Sequence, residues 1–366
     1  MTAERLIVYL LMLSVLVVLH EYGHFLVARR AGVRVTDFAV GFGPTLAKWT
    51  SPRSGTVYRL NLLPIGGYCQ MKGEDGKSNE ADQQREFRGA GEYDPDNFQA
   101  KTPLQRLAIV LAGPIANFIV ALVLLFGVAL VFGVPSDTPT TVISELIPDL
   151  PAMRAGMEAG DRIVSIDGHA MANGTILVHT IYGSLGKRLN VVYSRNGVEH
   201  SAEVIPVATP GDPKEGHLGF QPLPQNQQVG FAGAWSYSGR EVAYVVTATL
   251  GALGGLVTHP ATVAAQVQGP IGMARTAAQA EQFGPFYFLA IAAMISTSLG
   301  IFNLLPIPAL DGGRAAFILV EMLRGKPVDP EKEALVHVGG FAVLIALMLV
   351  VSLHDIASAI GGHTAF

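Results

Sequence analysis

The segment Leu6–Ala28, LIVYLLMLSVLVVLHEYGHFLVA, places a metal-binding pattern inside an apolar run long enough to span a membrane. His20 and His24 are four residues apart, so a helix brings both imidazoles to one face. Glu21 lies about 60° around the helix from His24 and therefore on the same side. The segment predicts a membrane helix that carries a zinc site, with a carboxylate beside the metal-bound water.

An HExxH pattern can also arise without a metal. A chance match in a chain of this length has odds of roughly one in a hundred. A soluble helix can also bury such a histidine pair for structural reasons. In hydrocarbon, however, each ionisable group costs on the order of 2–3 kcal/mol, so three groups within five residues need a compensating partner. A metal ion is the partner that this setting favours.

The composition indicates an integral membrane protein. Hydrophobic residues make up 50% of the 366 residues and charged residues 15%, against roughly 25% charged in soluble proteins. The length allows more than one domain, and the net charge of −4 gives no electrostatic basis for binding nucleic acid. A single cysteine, Cys69, excludes an internal disulfide and a CxxC metal site. The apolar run continues into HExxH without a small-residue cleavage site, so we predict an uncleaved first span.

Three further apolar segments, residues 104–132, 286–310 and 334–353, predict a core of about four transmembrane helices. Basic residues after the first and third spans mark the cytoplasmic side, so both spans run inward with one return pass between them. The histidine pair is then expected in the cytoplasmic half of the bilayer. A pass at 231–257 would break this parity, and we expect that segment to lie on the outer interface.

Asp311 is the candidate for a third metal ligand, because it follows the third span at a depth that matches the histidine pair. Pro306 and Pro308 cannot continue a helix, so the chain is expected to be unwound before Asp311. Unwound backbone inside a membrane bundle is a frequent way to build a binding site. A lone aspartate at this depth is also compatible with a proton relay or with helix pairing, and the HExxH elsewhere in the bilayer favours the metal ligand.

The cytoplasmic connection over residues 31–100 contains two strand-like pieces, Val57–Leu63 and Pro64–Met71, that bend at a glycine pair. A β-hairpin that dips beside the site would offer an edge to an extended peptide; composition supports a plain cytoplasmic hairpin equally. In the second span, Pro114 predicts a kink, and Asn117 is a polar group that needs a partner in the bundle. Helix packing is the favoured role for Asn117, and support of the site is the alternative.

Residues 137–222 have ordinary polarity and short alternating segments, which predict an inserted α+β domain. Asn196 and Gly197 join two strand patterns and form the strongest short hairpin signal. The pattern PAMRAGMEAGDRIVSIDG resembles a PDZ domain, a fold that binds extended peptides by strand addition. We therefore predict a membrane core in two parts, residues 1–136 and 286–366. The PDZ-like domain on the outer face covers residues 137–222, and an outer interfacial helix region covers residues 223–285.

Three motifs together resemble the bacterial site-2 protease family over nearly the whole chain: HEYGH in the first span, GPIAN in the second and NLLPIPALDGG in the third. The resemblance implies a zinc endopeptidase of regulated intramembrane proteolysis with a single PDZ domain. Such enzymes cut the transmembrane segments of single-span proteins within the lipid bilayer. Their substrates are typically membrane-anchored anti-sigma factors and remnant signal peptides, already cut once by an upstream site-1 protease.

The resemblance also implies roles for individual residues. The zinc ligands and the catalytic acid/base of the family match His20, His24, Asp311 and Glu21. Asn303 matches a polar residue that helps to hold the substrate strand. Gly66, Gly67 and Tyr68 fall in a segment that resembles the family's membrane-dipping β-loop, which also contacts substrate.

Two hypotheses from other functional classes remain open from the sequence. One is a membrane scaffold whose PDZ-like domain binds peptides and whose metal is structural. A structural zinc site would be closed by four ligands and would not need Glu21 beside it. The other is a metal or proton transporter, which more often shows paired inverted repeats; the sequence shows none.

Overall fold

The computed structural model describes residues 3–74, 94–209, 212–259, 269–326, 328 and 330–360. Parts of the predicted domains, among them residues 75–93 and 260–268, therefore lie outside the described residues. The chain divides into two compact units. The helical unit comprises Met1–Phe126, Ser238–Ala278 and Leu289–Phe366, and the inserted unit comprises Gly127–Tyr237 and Gln279–Phe288.

The elements described, in chain order, are α1 (Ala3–Arg30), β1 (Val35–Thr50), β2 (Val57–Met71), α2 (Pro103–Phe132), β3 (Val134–Leu146), α3 (Pro151–Arg154), β4 (Arg162–Ile166), β5 (His169–Ala170), α4 (Gly174–Tyr182), β6 (Leu189–Arg195), β7 (Val198–Val204), β8 (Val207–Thr209), β9 (Asp212–His217), β10 (Phe220–Gln227), α5 (Phe231–Thr258), α6 (Pro270–Gln282), α7 (Pro285–Leu304), α8 (Asp311–Arg324) and α9 (Pro330–Ile360).

Four helices are long and apolar enough to cross a membrane, and they are α1, α2, α7 and the Leu335–Leu353 part of α9. The prediction of a polytopic helical core with about four spans is thus confirmed. Among the described helices, α5 does not meet these criteria although it has 28 residues. Its place on the outer interface stays a prediction.

The third span is shorter than predicted. Helix α7 ends at Leu304, whereas the sequence pattern extended the span to residue 310. Pro306 and Pro308 interrupt the helix, because proline lacks the N–H group that the next helical hydrogen bond requires. Ala309 has a φ angle of +76°, in the left-handed region, and Asp311 starts the separate helix α8.

The β-hairpin is formed by other strands than the two predicted pieces. Val57–Leu63 and Pro64–Met71 belong to one strand, β2, whose partner β1 has no clear signal in the sequence. The hairpin bends across its middle, so Val40 pairs with both Gly67 and Leu60. The predicted bend at the glycine pair agrees with the φ angle of +73° at Gly66. The partner strand is missing from the prediction because Gly41, Gly43 and Pro44 interrupt its strand pattern.

The inserted unit is an α+β fold built on an antiparallel sheet. Strands β10, β3, β4, β6 and β7 lie in that order, and the short β5 pairs with β4. Asn196 and Gly197 have positive φ angles and join β6 to β7 in register, as the hairpin signal predicted. A core of aliphatic side chains fills the unit. Asp161 is buried and binds Arg195 through two hydrogen bonds, which hold the pKa of the guanidinium above its ordinary value.

The bounds of this unit are wider than the predicted 137–222. Val134 at the start of β3 pairs with Gln227 at the end of β10. The region 223–285 therefore begins inside the sheet and then contains two helices, α5 and α6. The wider bounds come from β10, whose alternation of proline and polar residues hides its strand character.

Candidate active site

Three side chains from two distant parts of the chain meet inside the helical unit. His20 Nε2 and His24 Nε2 lie 3.2 Å apart. Asp311 Oδ2 lies 3.1 Å from the first nitrogen and 3.3 Å from the second. Both histidines are buried, so water does not surround the three atoms. They form the one His/Cys/Asp/Glu cluster with metal-ligand geometry among the residues that the structure describes.

The donor atoms fit a bound zinc ion. His24 Nδ1–H donates to the carbonyl oxygen of Ile109 at 2.8 Å, so the neutral ring presents a bare Nε2 to the cluster. Asp311 Oδ2 is buried and accepts no ordinary hydrogen bond from the described residues. Three lone pairs turned toward one another need a cation between them. Ligands held at about 2.0–2.1 Å in tetrahedral directions lie about 3.3 Å apart, close to the three distances observed here.

Asn117 supports the other side of the cluster. Its amide lies 3.0 Å from His20 Nδ1, while the amide oxygen is buried without a partner in the described residues. A half-turn of the amide places this oxygen against His20 Nδ1–H and leaves Nε2 bare for the metal. The backbone carbonyl of Asn117 also accepts a hydrogen bond from Ser296 Oγ at 2.9 Å, so the residue joins α2 to α7 as well. Asn117 therefore makes one contact that supports the site, with His20, and one that packs the helices, with Ser296.

Two glycines let the helices approach closely enough for these contacts. A Cβ atom on Gly23 would lie 2.4 Å from the carbonyl oxygen of Ala112, so α1 packs directly on the backbone of α2. A Cβ atom on Gly113 would lie 2.2 Å from His24 Nε2 and 2.8 Å from His20 Cε1. Gly113 thus accommodates the two imidazole rings themselves.

Asp311 reaches the histidines because the preceding chain folds back over the first turn of α8. A Cβ atom on Gly312 would lie 2.1 Å from the carbonyl oxygen of Leu305. One on Gly313 would lie 2.4 Å from that of Ile307. The two glycines allow this close approach, and the carboxylate occupies the first turn of α8, where the helix dipole favours negative charge.

A cavity of about 430 Å³ opens beside the cluster. Glu21 lines it, so a carboxylate outside the ligand set faces the same space. Of the predicted substrate-binding residues, Tyr68 lines the cavity, whereas Gly66, Gly67 and Asn303 are not among its lining residues. Gly66 instead packs toward α1, where its carbonyl accepts a hydrogen bond from Ser14 Oγ at 3.3 Å. Asn303 lies in the last turn of α7.

Some residues that line the cavity belong to no sequence motif. Glu74 lines it, accepts a hydrogen bond from the backbone N–H of Met71 at 3.0 Å, and forms an ion pair with Arg314 of α8. The end of β2 is thereby tied to the helix that begins with Asp311. His337 of α9 also lines the cavity. An ionisable residue inside a predicted span is the available signal for His337.

Comparisons with known proteins identify a family of metallopeptidases. The model of peptidase family M50 matches residues 8–347. The zinc metalloprotease RasP of Geobacillus kaustophilus is 33% identical over 97% of this chain and 98% of its own. The regulator of sigma-W protease RasP of Bacillus subtilis is 32% identical over 97% of this chain and 99% of its own.

A solved PDZ domain from an SdrC-like protein of Listeria monocytogenes matches 24% of this chain and 93% of its own, with 21% identity and a TM-score of 0.21. The α+β fold of the inserted unit rests on its own strands and helices and not on this superposition.

Four candidate membrane spans, together with a buried His-His-Asp cluster beside a glutamate, define a membrane-embedded metalloprotease. The chain belongs to peptidase family M50, whose model covers most of its length. It is a zinc metallo-endopeptidase and a multi-pass protein of the inner membrane. The resemblance to site-2 proteases and the zinc cofactor are thereby confirmed, and an enzyme replaces the scaffold and transporter hypotheses.

Proposed function

We propose that this enzyme cleaves transmembrane segments of single-span membrane proteins, with His20, His24 and Asp311 holding the zinc ion. The observation that carries the proposal is the buried triangle of Nε2, Nε2 and Oδ2 atoms with sides of 3.1 to 3.3 Å. Zinc bound there supplies a Lewis acid for the scissile carbonyl and a water of lowered pKa. Three protein ligands leave one position open, as catalytic zinc sites require.

Glu21 carries the proton transfers in this proposal. Its carboxylate shares the cavity with the cluster and follows His20 directly in α1. It accepts a proton from the attacking water and returns it to the leaving amine nitrogen. Burial of both histidines keeps bulk water away from the ligand side of the cluster.

The edge of β2 presents the substrate. A transmembrane helix has all its amides bonded internally, so the residues around the cleaved bond must become extended before attack. Tyr68 and Met71 of β2 line the cavity, and β1 is the strand that pairs with β2 in the described residues. An extended substrate segment can add to the other edge of β2, where new main-chain hydrogen bonds offset the cost of unwinding.

The name of one relative supports a substrate class for this enzyme. One of them is named a regulator of sigma-W protease, which places that protein in sigma-factor control. We infer that this enzyme also cuts membrane-anchored anti-sigma factors or remnant signal peptides after a site-1 protease has removed their outer part. In this proposal the site lies in the cytoplasmic half of the bilayer, and the inserted unit lies on the outer face.

Cleavage by purified enzyme in lipid vesicles tests the proposal, with a tagged single-span protein as substrate. We expect Glu21→Gln to keep its zinc and lose at least about a hundredfold in rate, because an amide cannot accept the water proton. His24→Ala and Asp311→Ala should lower the zinc content measured by metal analysis. Retained turnover in Glu21→Gln would remove Glu21 from the mechanism. Full zinc occupancy in Asp311→Ala would remove that residue from the ligand set.

A further inference from the structure

The last helix reaches the chain before Asp311 through one imidazole ring. The backbone N–H of Ala309 donates a hydrogen bond to His337 Nδ1 at 2.8 Å. Ala309 is two residues before Asp311, and His337 lies near the start of the fourth candidate span. A side chain of α9 therefore holds the loop that delivers the carboxylate to the cluster.

The direction of this hydrogen bond fixes the state of the ring. A backbone N–H can only donate, so Nδ1 is the acceptor and the ring hydrogen of the neutral form sits on Nε2. Nε2 is buried without a hydrogen-bond partner in the described residues. The carboxylate oxygen Glu333 Oε1 is 3.9 Å from Nε2, beyond hydrogen-bond distance. Among the described residues, the hydrogen bond of the His337 ring is therefore the one from the Ala309 N–H.

Ala309 has a conformation that needs such support. Its φ angle of +76° is unfavourable for a residue with a Cβ atom and persists only where its surroundings impose it. Pro308, beside it, lies against Gly340 of α9, where a Cβ atom would come within 2.3 Å of the proline ring. The loop is thus held between the first turn of α8 and one face of α9.

The rest of α9 contributes little packing to the described structure. No residue in its apolar window, Leu335–Leu353, is buried. The His337 ring also contacts Phe317 of α8, with ring centroids 5.6 Å apart, so a substitution that removes the ring removes this contact as well as the hydrogen bond. Asn and Gln lose the ring contact alike and differ in the position of their acceptor atom.

We propose that His337 is a positioning residue for the third zinc ligand. It holds Ala309 in the left-handed conformation and so keeps the Asp311 carboxylate against His20 and His24. The inference rests on the proposed function, in which Asp311 binds zinc. Residues that orient a metal ligand typically affect metal affinity by about 10–100-fold when they are changed.

Two amide variants separate the contribution of Nδ1 from that of the ring. In His337→Asn, Oδ1 is the same number of bonds from Cβ as Nδ1 is in histidine, so the acceptor is kept. His337→Gln moves the acceptor one bond further, and His337→Leu removes it. Zinc affinity of the purified full-length variants, measured by chelator competition, should stay within about threefold in Asn and fall by about 10–100-fold in Gln and Leu.

A matched control and a double variant complete the test. Val336→Ala changes the neighbouring residue, which is 43% exposed and is not among the residues lining the cavity, and it should leave zinc affinity unchanged. In an Asp311→Ala background, His337→Leu should have no further effect, because the residue acts through Asp311.

Equal affinity in the Asn, Gln and Leu variants, or an additive loss in the Asp311→Ala background, would overturn the proposal. An Asp311→Ala variant that keeps wild-type affinity would instead overturn the ligand assignment on which it rests.

Discussion

At the scale of single residues, the site depends on a missing side chain at Gly113. We expect Gly113→Ala to weaken zinc binding by about tenfold or more and to reduce cleavage equally. The added Cβ atom would lie 2.2 Å from His24 Nε2, so the ring must move away from the metal. Chelator competition on the purified protein measures the effect.

Gly127 is the matched control, since it lies on the same helix and a Cβ atom added there would meet no atom within 4 Å. Gly127→Ala should leave zinc affinity unchanged and add about 0.5–1 kcal/mol of helix stability. If both variants bound zinc as well as the wild type, the space for the imidazoles would not be set by Gly113.

Asn117 offers a second test at this scale, because it combines a site contact with a packing contact. We expect Asn117→Leu to weaken zinc binding by about 10–100-fold, since His20 loses the group that orients its Nδ1–H. Ser296→Ala removes the hydrogen bond to the Asn117 backbone and leaves the amide intact. Zinc affinity should respond to the first variant alone, and an equal response to both would assign Asn117 to packing.

At the scale of elements, α2 and α8 are joined by an ion pair between Arg106 and Glu321 that is only slightly exposed, 9% and 15% respectively. We expect Glu321→Leu to lower the free energy of unfolding by about 3–5 kcal/mol, because the arginine would remain charged and buried without its carboxylate. The double variant Arg106→Leu/Glu321→Leu should recover part of this loss. Reversible denaturation in detergent measures both.

The exposed pair of Arg188 and Glu203 in the inserted unit provides the comparison. Breaking it with Arg188→Leu should change stability by less than about 1 kcal/mol. A Glu321→Leu variant as stable as Arg188→Leu would mean that solvent screens the pair in α2 and α8.

The elements also show which features can be predicted from the sequence. The histidine pair and Glu21 were predictable because both are set by spacing within one helix. The hairpin at Asn196–Gly197 was predictable because its turn chemistry is local. Strand β1 was not, since Gly41, Gly43 and Pro44 interrupt its strand pattern. The contact of His337 with Ala309 was not, since it joins residues 28 positions apart, one in the loop before α8 and one in α9. Asp311 was predictable from its expected depth in the membrane, which matches that of the histidine pair, and not from a residue spacing.

At the scale of the whole molecule, the membrane orientation is the main expectation to test. A reporter after Gly325, at the end of α8, should read cytoplasmic, because basic residues flank that end of the span. A reporter at Gly197, in the turn between β6 and β7, should read external. Protease or alkylation accessibility in intact cells measures both positions. If Gly197 and Gly325 both read cytoplasmic, α5 would have to cross the membrane together with α7, and α2 could not be the return pass.

The pairing of Val134 with Gln227 has a further consequence for how the chain is assembled. The polypeptide enters the sheet at Val134 and leaves it at Gln227, and these two residues are paired neighbours. The sheet between them is therefore an insertion whose two ends lie side by side. Cutting it out, lengthening it or exchanging it requires only a short bridge between α2 and α5 and leaves the register of the helices untouched. Evolution and protein engineering can therefore change this sheet without changing the residues that form the His20, His24 and Asp311 cluster.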